Sequence, residues 1–260
     1  MIPFTVSIFL TLSIPVLIFV ENLKKNLVVA TLVLIYFTQN TFYLYQGVSQ
    51  YADILLSFFF LTALICANHL SDKKYITLAA FFIGCCMWTK NEGIMLAFLY
   101  MLFYLPLLFN KAHIKYTIAG IALPLLAVSI FKIGYAGAND IVSKQGHDTL
   151  KLLTSADRYQ LIYQYFCKNV QEKFRVAAYA FYLYILVSII KRQMPHKQMW
   201  LILLCLLGYM MVYVITPQGL DWHLNTSQDR VMNQLLPALI YVISLRLSDI
   251  HLPLFKKKIF

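Results

Sequence analysis

Apolar residues along this chain come in long continuous runs, interrupted by short polar breaks. The runs lie near 3–20, 27–43, 53–69, 75–90, 93–109, 115–136, 175–190, 199–216 and 231–248. A helix needs about 20 mostly apolar residues to cross the hydrocarbon core of a bilayer. The pattern therefore predicts an all-α, polytopic transmembrane bundle of about nine spans, organised as a single domain over residues 1–260. The second and fourth runs are short or carry polar interruptions. A transmembrane β-barrel would show alternating apolar and polar positions, and these runs do not alternate.

Composition agrees. Sixty per cent of the 260 residues are hydrophobic and 13% are charged, with a mean hydropathy of +0.68. Soluble domains carry about a quarter charged residues, so lipid is the expected solvent. The formal charge of +11 does not point to nucleic acid, because Lys and Arg gather between the apolar runs, where helix ends are anchored at a membrane surface.

The short loops predict an orientation. With the N-terminus outside, the cytoplasmic ends carry Lys24, Lys25, Lys73, Lys74, Lys111, Lys115, Lys191, Arg192, Lys197, Arg246 and Lys256–Lys258. Those are 13 of the 22 basic residues, against only Glu21, Asp72 and Asp249 among the acids. The positive-inside rule then favours N-out and C-in. The first run has no basic region before it, as a secretory signal would. An N-out start without such a signal is what loss of an upstream span would produce. Cys66, Cys85, Cys86 and Cys205 fall inside expected spans, leaving only Cys167 outside them, so no extracytoplasmic disulfide pair is expected.

Ionisable residues that meet the membrane against their own cost mark candidate sites. Under this topology three such clusters share the extracytoplasmic side. Asp53, at the mouth of the third span after Gln50-Tyr51-Ala52, reads either as a helix N-cap or as a functional carboxylate. Between the fourth and fifth spans stands Trp88-Thr89-Lys90-Asn91-Glu92-Gly93. It reads as an interfacial ion pair in a glycine-assisted turn, or as a Lys that binds an anionic group beside Glu92, a base or positioning partner. The third is Asp221-Trp222-His223-Leu224-Asn225-Thr226-Ser227-Gln228-Asp229-Arg230, ahead of the last span. Thr226, Ser227 and Asp229 read as caps of that span. Arg230 and Gln234, one turn apart on one helical face, read as the lining of a cavity.

The longest polar stretch, residues 137–174, is expected to be an extracytoplasmic loop. Leu150, Leu152, Leu153, Leu161, Ile162 and Tyr165 have a loosely helical spacing, which predicts a helix lying in the interface. No GxGxxG, P-loop or GxSxG motif occurs, which argues against a soluble nucleotide site.

Tyr51-Ala52-Asp53 leading to Phe58-Phe59-Phe60, then Thr89-Lys90-Asn91-Glu92-Gly93, then Trp222-His223-Leu224, Thr226-Ser227, Arg230, Gln234 and Pro237 together resemble the GT-C membrane glycosyltransferases. The nearest resemblance is to bacterial proteins related to family 39, the dolichyl-phosphate-mannose protein mannosyltransferase and aminoarabinose transferase group. It covers roughly residues 27–245.

The resemblance implies an enzyme of the bacterial inner membrane that moves a sugar from a polyprenyl-phosphate donor to a lipid, glycan or protein hydroxyl outside the cytoplasm. On that footing Asp53, Glu92 and His223 are the candidate catalytic residues. Lys90, Asn91, Trp222, Arg230 and Gln234 are the candidate substrate contacts, Lys90 and Arg230 holding the phosphate. Paired carboxylates would permit Mg²⁺ or Mn²⁺, but no ligand spacing demands a metal. The partners implied are the lipid-linked sugar, its acceptor and membrane lipid, with no nucleic acid. One departure stands out. The family places its main catalytic acid after its first span, and no acidic pair precedes Asp53 here. A truncated or fragmentary copy, or a homologue that binds without catalysing, is therefore expected.

The rival classes are a polysaccharide polymerase or O-antigen ligase and a transporter or flippase. The first would be expected to carry its key Arg and His in the large loop, where only Arg158 and His147 occur. The second calls for ionisable residues within a span, for which Lys132 is the main candidate.

Overall fold

The computed structural model describes residues 2–135 and 149–250, and every regular element among them is a helix. In chain order these are α1 (Ile2–Leu23), α2 (Leu27–Gln39), α3 (Thr41–Val48), α4 (Ala52–Ala67), α5 (Lys73–Thr89), α6 (Asn91–Phe103), α7 (Leu105–Leu108), α8 (Ile114–Gly134), α9 (Thr149–Thr154), α10 (Ala156–Glu172), α11 (Arg175–Ile190), α12 (Lys197–Ile215) and α13 (Leu220–Ser248).

Helices α1, α8, α12 and α13 are long and apolar enough to cross a membrane. Among the described residues the number rises to six if each of two bent pairs is one span: α2 with α3, bent by 62°, and α10 with α11, bent by 94°. Helices α4 and α6 are apolar but shorter. The expected span at 27–43 is thus broken at Asn40, whose side-chain oxygen accepts from the Tyr43 N–H at 3.0 Å and starts α3 as a new helix. The same device starts α2 at Asn26 and α5 at Asp72, each side chain satisfying a backbone donor that the first turn leaves free.

Helix α13 is the centre of the bundle. Its most apolar window is 89% buried, against 22% for α8 and 28% for α1. It packs on α4, α12, α11, α10, α2 and α1, while α5 sits between α4, α6 and α8. Two prolines inside helices serve as tie points, because each leaves the carbonyl four residues earlier without its helical donor. Pro15 frees the Thr11 carbonyl, and Tyr43 on α3 donates its hydroxyl to it at 2.7 Å. Pro237 frees the Asn233 carbonyl, and the Ser57 hydroxyl on α4 lies 3.5 Å from it.

Helices α4 and α13 run in the same direction. At one end Asp53 meets Arg230 and Gln234, and at the other Asn68 meets Tyr241. The clusters at Asp53, Lys90 and Arg230 therefore share one end of the bundle.

One expectation is corrected here. The polar run from Asp221 to Arg230, read as a loop before the last span, is the opening of α13 itself. Thr226, Ser227 and Asp229 accordingly do not cap a helix; they sit within one. Of the loop expected at 137–174, residues 149–174 carry α9 and α10, and α10 is a 17-residue helix. Residues 137–148, with His147, lie outside the described residues, as does the basic run Lys256–Lys258.

Candidate functional site

Asp53 sits in the first turn of α4, where a carboxylate suits the helix dipole, but it is not the N-cap. Tyr51 occupies that position and Asp53 points inward, with no exposed surface. Gln50, in the left-handed region at φ 57°, turns the chain into this helix.

Four donors converge on the Asp53 carboxylate. Lys90 Nζ donates to Oδ1 at 2.8 Å and Gln234 Nε2 to the same oxygen at 2.5 Å. Arg230 grips Oδ2 through Nε at 3.1 Å and Nη2 at 2.8 Å. Burying a charge is costly unless it is paired and hydrogen-bonded, and here the pairing is complete. The partners are themselves held. Tyr209 on α12 donates to Gln234 Oε1 at 2.6 Å, and the Arg230 guanidinium lies 3.9 Å from the centre of the Tyr51 ring, a cation–π contact.

Lys90 reaches Asp53 because of local backbone geometry. It is the single residue joining α5 to α6, extended at φ −156° and ψ 161°, and it serves as C-cap of one helix and N-cap of the other. The close approach of the two helices depends on Gly93. A Cβ there would stand 1.8 Å from the Cys86 carbonyl oxygen. Gly93 is thus a packing glycine inside α6 rather than a turn residue. Glu92, on the first turn of α6, contacts the same ammonium at 3.2 Å, so the Lys90 Nζ sits between two carboxylates. The two carboxylates differ in access: the Glu92 side chain keeps 32% of its surface, while Asp53 keeps none.

The remaining expected residues form a second layer. Asn91 accepts from Lys132 Nζ on α8 at 2.6 Å. His223 faces α12: its Nδ1 is 3.0 Å from Thr216 Oγ1, and its ring meets Tyr213 edge-on with centroids 4.9 Å apart. Trp222 is exposed and flanks His223. Asp53, Lys90, Glu92, Arg230 and Gln234 are therefore brought into one network, whereas Asn91, Trp222 and His223 border it without a direct bond to Asp53.

Helix α10 lies along the polar opening of α13 and is fastened to it at three levels. Tyr165 donates to Asp221 at 2.8 Å, Asn169 to Gln228 at 2.9 Å, and Lys173 to Asp229 at 2.5 Å. Arg158 adds a clamp on the end of α12, donating to the Val214, Tyr213 and Thr216 carbonyls at 2.8–3.1 Å. Lys173 and Tyr209 had not been singled out from sequence. Lys173 carried a weak signal, a basic residue just ahead of an apolar run. Tyr209 carried none, being one tyrosine among 18.

A divalent cation does not fit the residues present. The space between the two carboxylates is taken by the Lys90 ammonium. Among the described residues no group of three or more His, Cys, Asp or Glu side chains converges.

Comparison with family models, with curated proteins and with solved structures returns no match.

Proposed function

We propose that this chain belongs to the GT-C type of membrane glycosyltransferase, with about nine spans, N-out and C-in, in a bacterial plasma membrane. On this reading it binds a polyprenyl-phosphate-linked sugar at the end that holds Asp53. The observation that carries the reading is the arrangement of Lys90 and Arg230: two cations oriented by one inaccessible carboxylate, beside a second carboxylate that remains accessible.

The chemistry follows from those positions. In glycosyl transfer the acceptor hydroxyl bonds to the anomeric carbon while the bond from that carbon to the phosphate oxygen breaks. The phosphate departs with the electron pair, and the hydroxyl proton must be taken up. Preorganised cations stabilise the leaving charge without reorganisation during the step, and an Arg fork suits phosphate. Lys90 and Arg230 fill that role. Glu92 is the group placed to take the proton; Asp53, with both oxygens engaged, acts as a positioning residue.

A lipid-linked substrate also needs an apolar approach. Ile94, Phe98 and Leu102 form an exposed stripe down α6 that starts two residues below Glu92. Leu204, Leu207 and Met211 form another on α12, which packs against α6.

The test is binding and turnover of polyprenyl-phosphate hexoses by the purified chain in lipid nanodiscs. Lys90→Ala and Arg230→Ala are expected to abolish donor binding, and Lys90→Arg to retain it in part. Glu92→Gln is expected to bind donor normally and to lose transfer. Undiminished donor binding in folded Lys90→Ala and Arg230→Ala proteins would refute the assignment. Labelling of a Gln50→Cys variant by an impermeant maleimide tests the orientation; protection in intact cells would reverse it.

A further inference from the structure

A groove of about 970 Å³ runs down the side of the bundle between α2 and α11, with α13 as its floor. Its walls are apolar along nearly their whole length, including Val29, Leu32, Leu183, Ile240, Ile243 and Leu247. On α2 the lining extends from Val29 to Asn40, which at 1.5 Å per residue is about 17 Å. Half the hydrocarbon thickness of a bilayer is about 15 Å. The groove thus has the length of one leaflet's acyl chain.

The two mouths differ in charge. At the end nearer Asp53, the groove is bordered by Glu172 and Lys173, and the Lys173 ammonium is already paired with Asp229. That pairing neutralises Lys173, and the Glu172 carboxylate lines the groove beside it, which disfavours an anion.

At the other mouth three chain segments converge. Asn26, before α2, donates to the Ile250 carbonyl at 3.2 Å, and Lys191, after α11, donates to the Asp249 carbonyl at 2.7 Å. Arg246 stands one residue from Leu247 and donates to Gln193 Oε1 and to the Met194 carbonyl. The Lys191 and Arg246 charges therefore rest on neutral oxygens. The convergence of cations is felt by His196, which burial, then Lys197, Arg246 and Lys25, hold below the usual imidazole value, opposed by Asp249.

We propose that this groove binds one anionic phospholipid, its phosphodiester at the collar formed by Lys25, Lys191 and Arg246 and one acyl chain along α2 and α13. Charge complementarity selects the headgroup end. Basic pockets between helices are where anionic headgroups are held at membrane proteins, and the apolar walls select a chain over a soluble anion. The lipid is distinct from any substrate at Asp53, which lies at the opposite end of the bundle, and the proposal stands whether or not the transferase reading does.

The test is native mass spectrometry of the full chain in neutral detergent, titrated with palmitoyl-oleoyl phosphatidylglycerol or phosphatidylcholine. One phosphatidylglycerol per chain is expected to be retained, about tenfold more tightly than phosphatidylcholine. The Lys25→Gln/Lys191→Gln double variant is expected to erase that preference. Ala180→Trp, which fills the groove wall, is expected to release the lipid with the collar intact. Unfolding temperatures verify that each variant is folded, and Arg246→Gln supplies an independent collar variant.

Equal retention of the two lipids overturns the proposal. So does phosphatidylglycerol binding that survives Ala180→Trp in the folded protein, since the charge would then act at the surface alone. Equally tight binding of sn-glycerol 1-phosphate would assign the collar to a soluble anion. Displacement by an equimolar polyprenyl phosphate would assign the groove to that lipid.

Discussion

The two ends of the α4–α13 pair solve the problem of polar groups inside an apolar bundle differently. At the end away from Asp53 the buried part of the network is neutral, with the partly exposed Glu21 carboxylate at its rim, accepting from the Tyr241 hydroxyl at 3.4 Å and facing His69 at 3.7 Å. Asn22 donates to Ser244 at 2.8 Å and accepts from Ser248 at 2.6 Å, while Asn68 donates to Tyr241 at 2.6 Å. Gln198 on α12 joins by donating to the Leu64 carbonyl and to Asn68. Amide and hydroxyl groups there tie α1, α4, α12 and α13 together, with Gln198 Oε1 left buried without a partner among the described residues. At the Asp53 end the network is ionic, and it opens toward Glu92, which stays partly accessible. Adjacent to it, the fully buried Asn233 has neither amide atom hydrogen-bonded among the described residues. Neutral pairing serves adhesion between helices. An ionic cluster in the same setting is more expensive to maintain.

The comparison is broken most directly by removing the central carboxylate. Asp53→Ala leaves Lys90 and Arg230 without their shared counter-ion, and loss of one partner of a buried pair costs about 3–5 kcal/mol. Reversible unfolding in mixed micelles is the measurement. A loss no larger than that from an equivalent change at Asn68 would mean that the two ends are energetically alike.

Gly93→Ala tests the ionic end by another route. The added methyl meets the Cys86 carbonyl at 1.8 Å, so α6 must shift. Overpacking of this kind costs about 1–3 kcal/mol. Because Lys90 and Glu92 ride on the same junction, the donor binding proposed above should fall with stability. Full binding in a destabilised Gly93→Ala protein would separate the junction from the site.

The smallest effect is expected at the neutral end. A double-mutant cycle on Asn68→Ala and Tyr241→Phe should give a coupling of about 0.6 kcal/mol, the average for hydrogen bonds between membrane helices. A coupling several times larger would erase the distinction drawn here.

Most helix positions were legible in the chain, and the misreadings have physical causes. The start of α13 was read as a loop because ten polar-rich residues lower the local hydropathy below that of a span. They are helical because α10 supplies partners at Asp221, Gln228 and Asp229, a circumstance no window of sequence contains. The break at Asn40 was visible only as a polar residue near the end of an apolar run; its capping bond makes it a helix start. In sequence Asp53 reads either as a cap or as a functional carboxylate. The helix begins two residues earlier than a cap at Asp53 requires, and that places the carboxylate on the inner face. Asn91, His223 and Trp222 lie beside the cluster as their neighbours in sequence predict, yet Asn91 bonds to Lys132, His223 to Thr216, and Trp222 is exposed.

The chain by itself determined that several helices are long and apolar enough to enter a bilayer, because partition into lipid depends on the composition of each local run. It also determined which ionisable residues lie at the ends of those runs. Only the tertiary structure decided that Asp53 joins Arg230 across 177 positions and Lys90 across 37. Such meetings depend on the rotation and relative height of packed helices, and these are set by contacts between runs, such as the Gly93–Cys86 approach and the tie at Pro237.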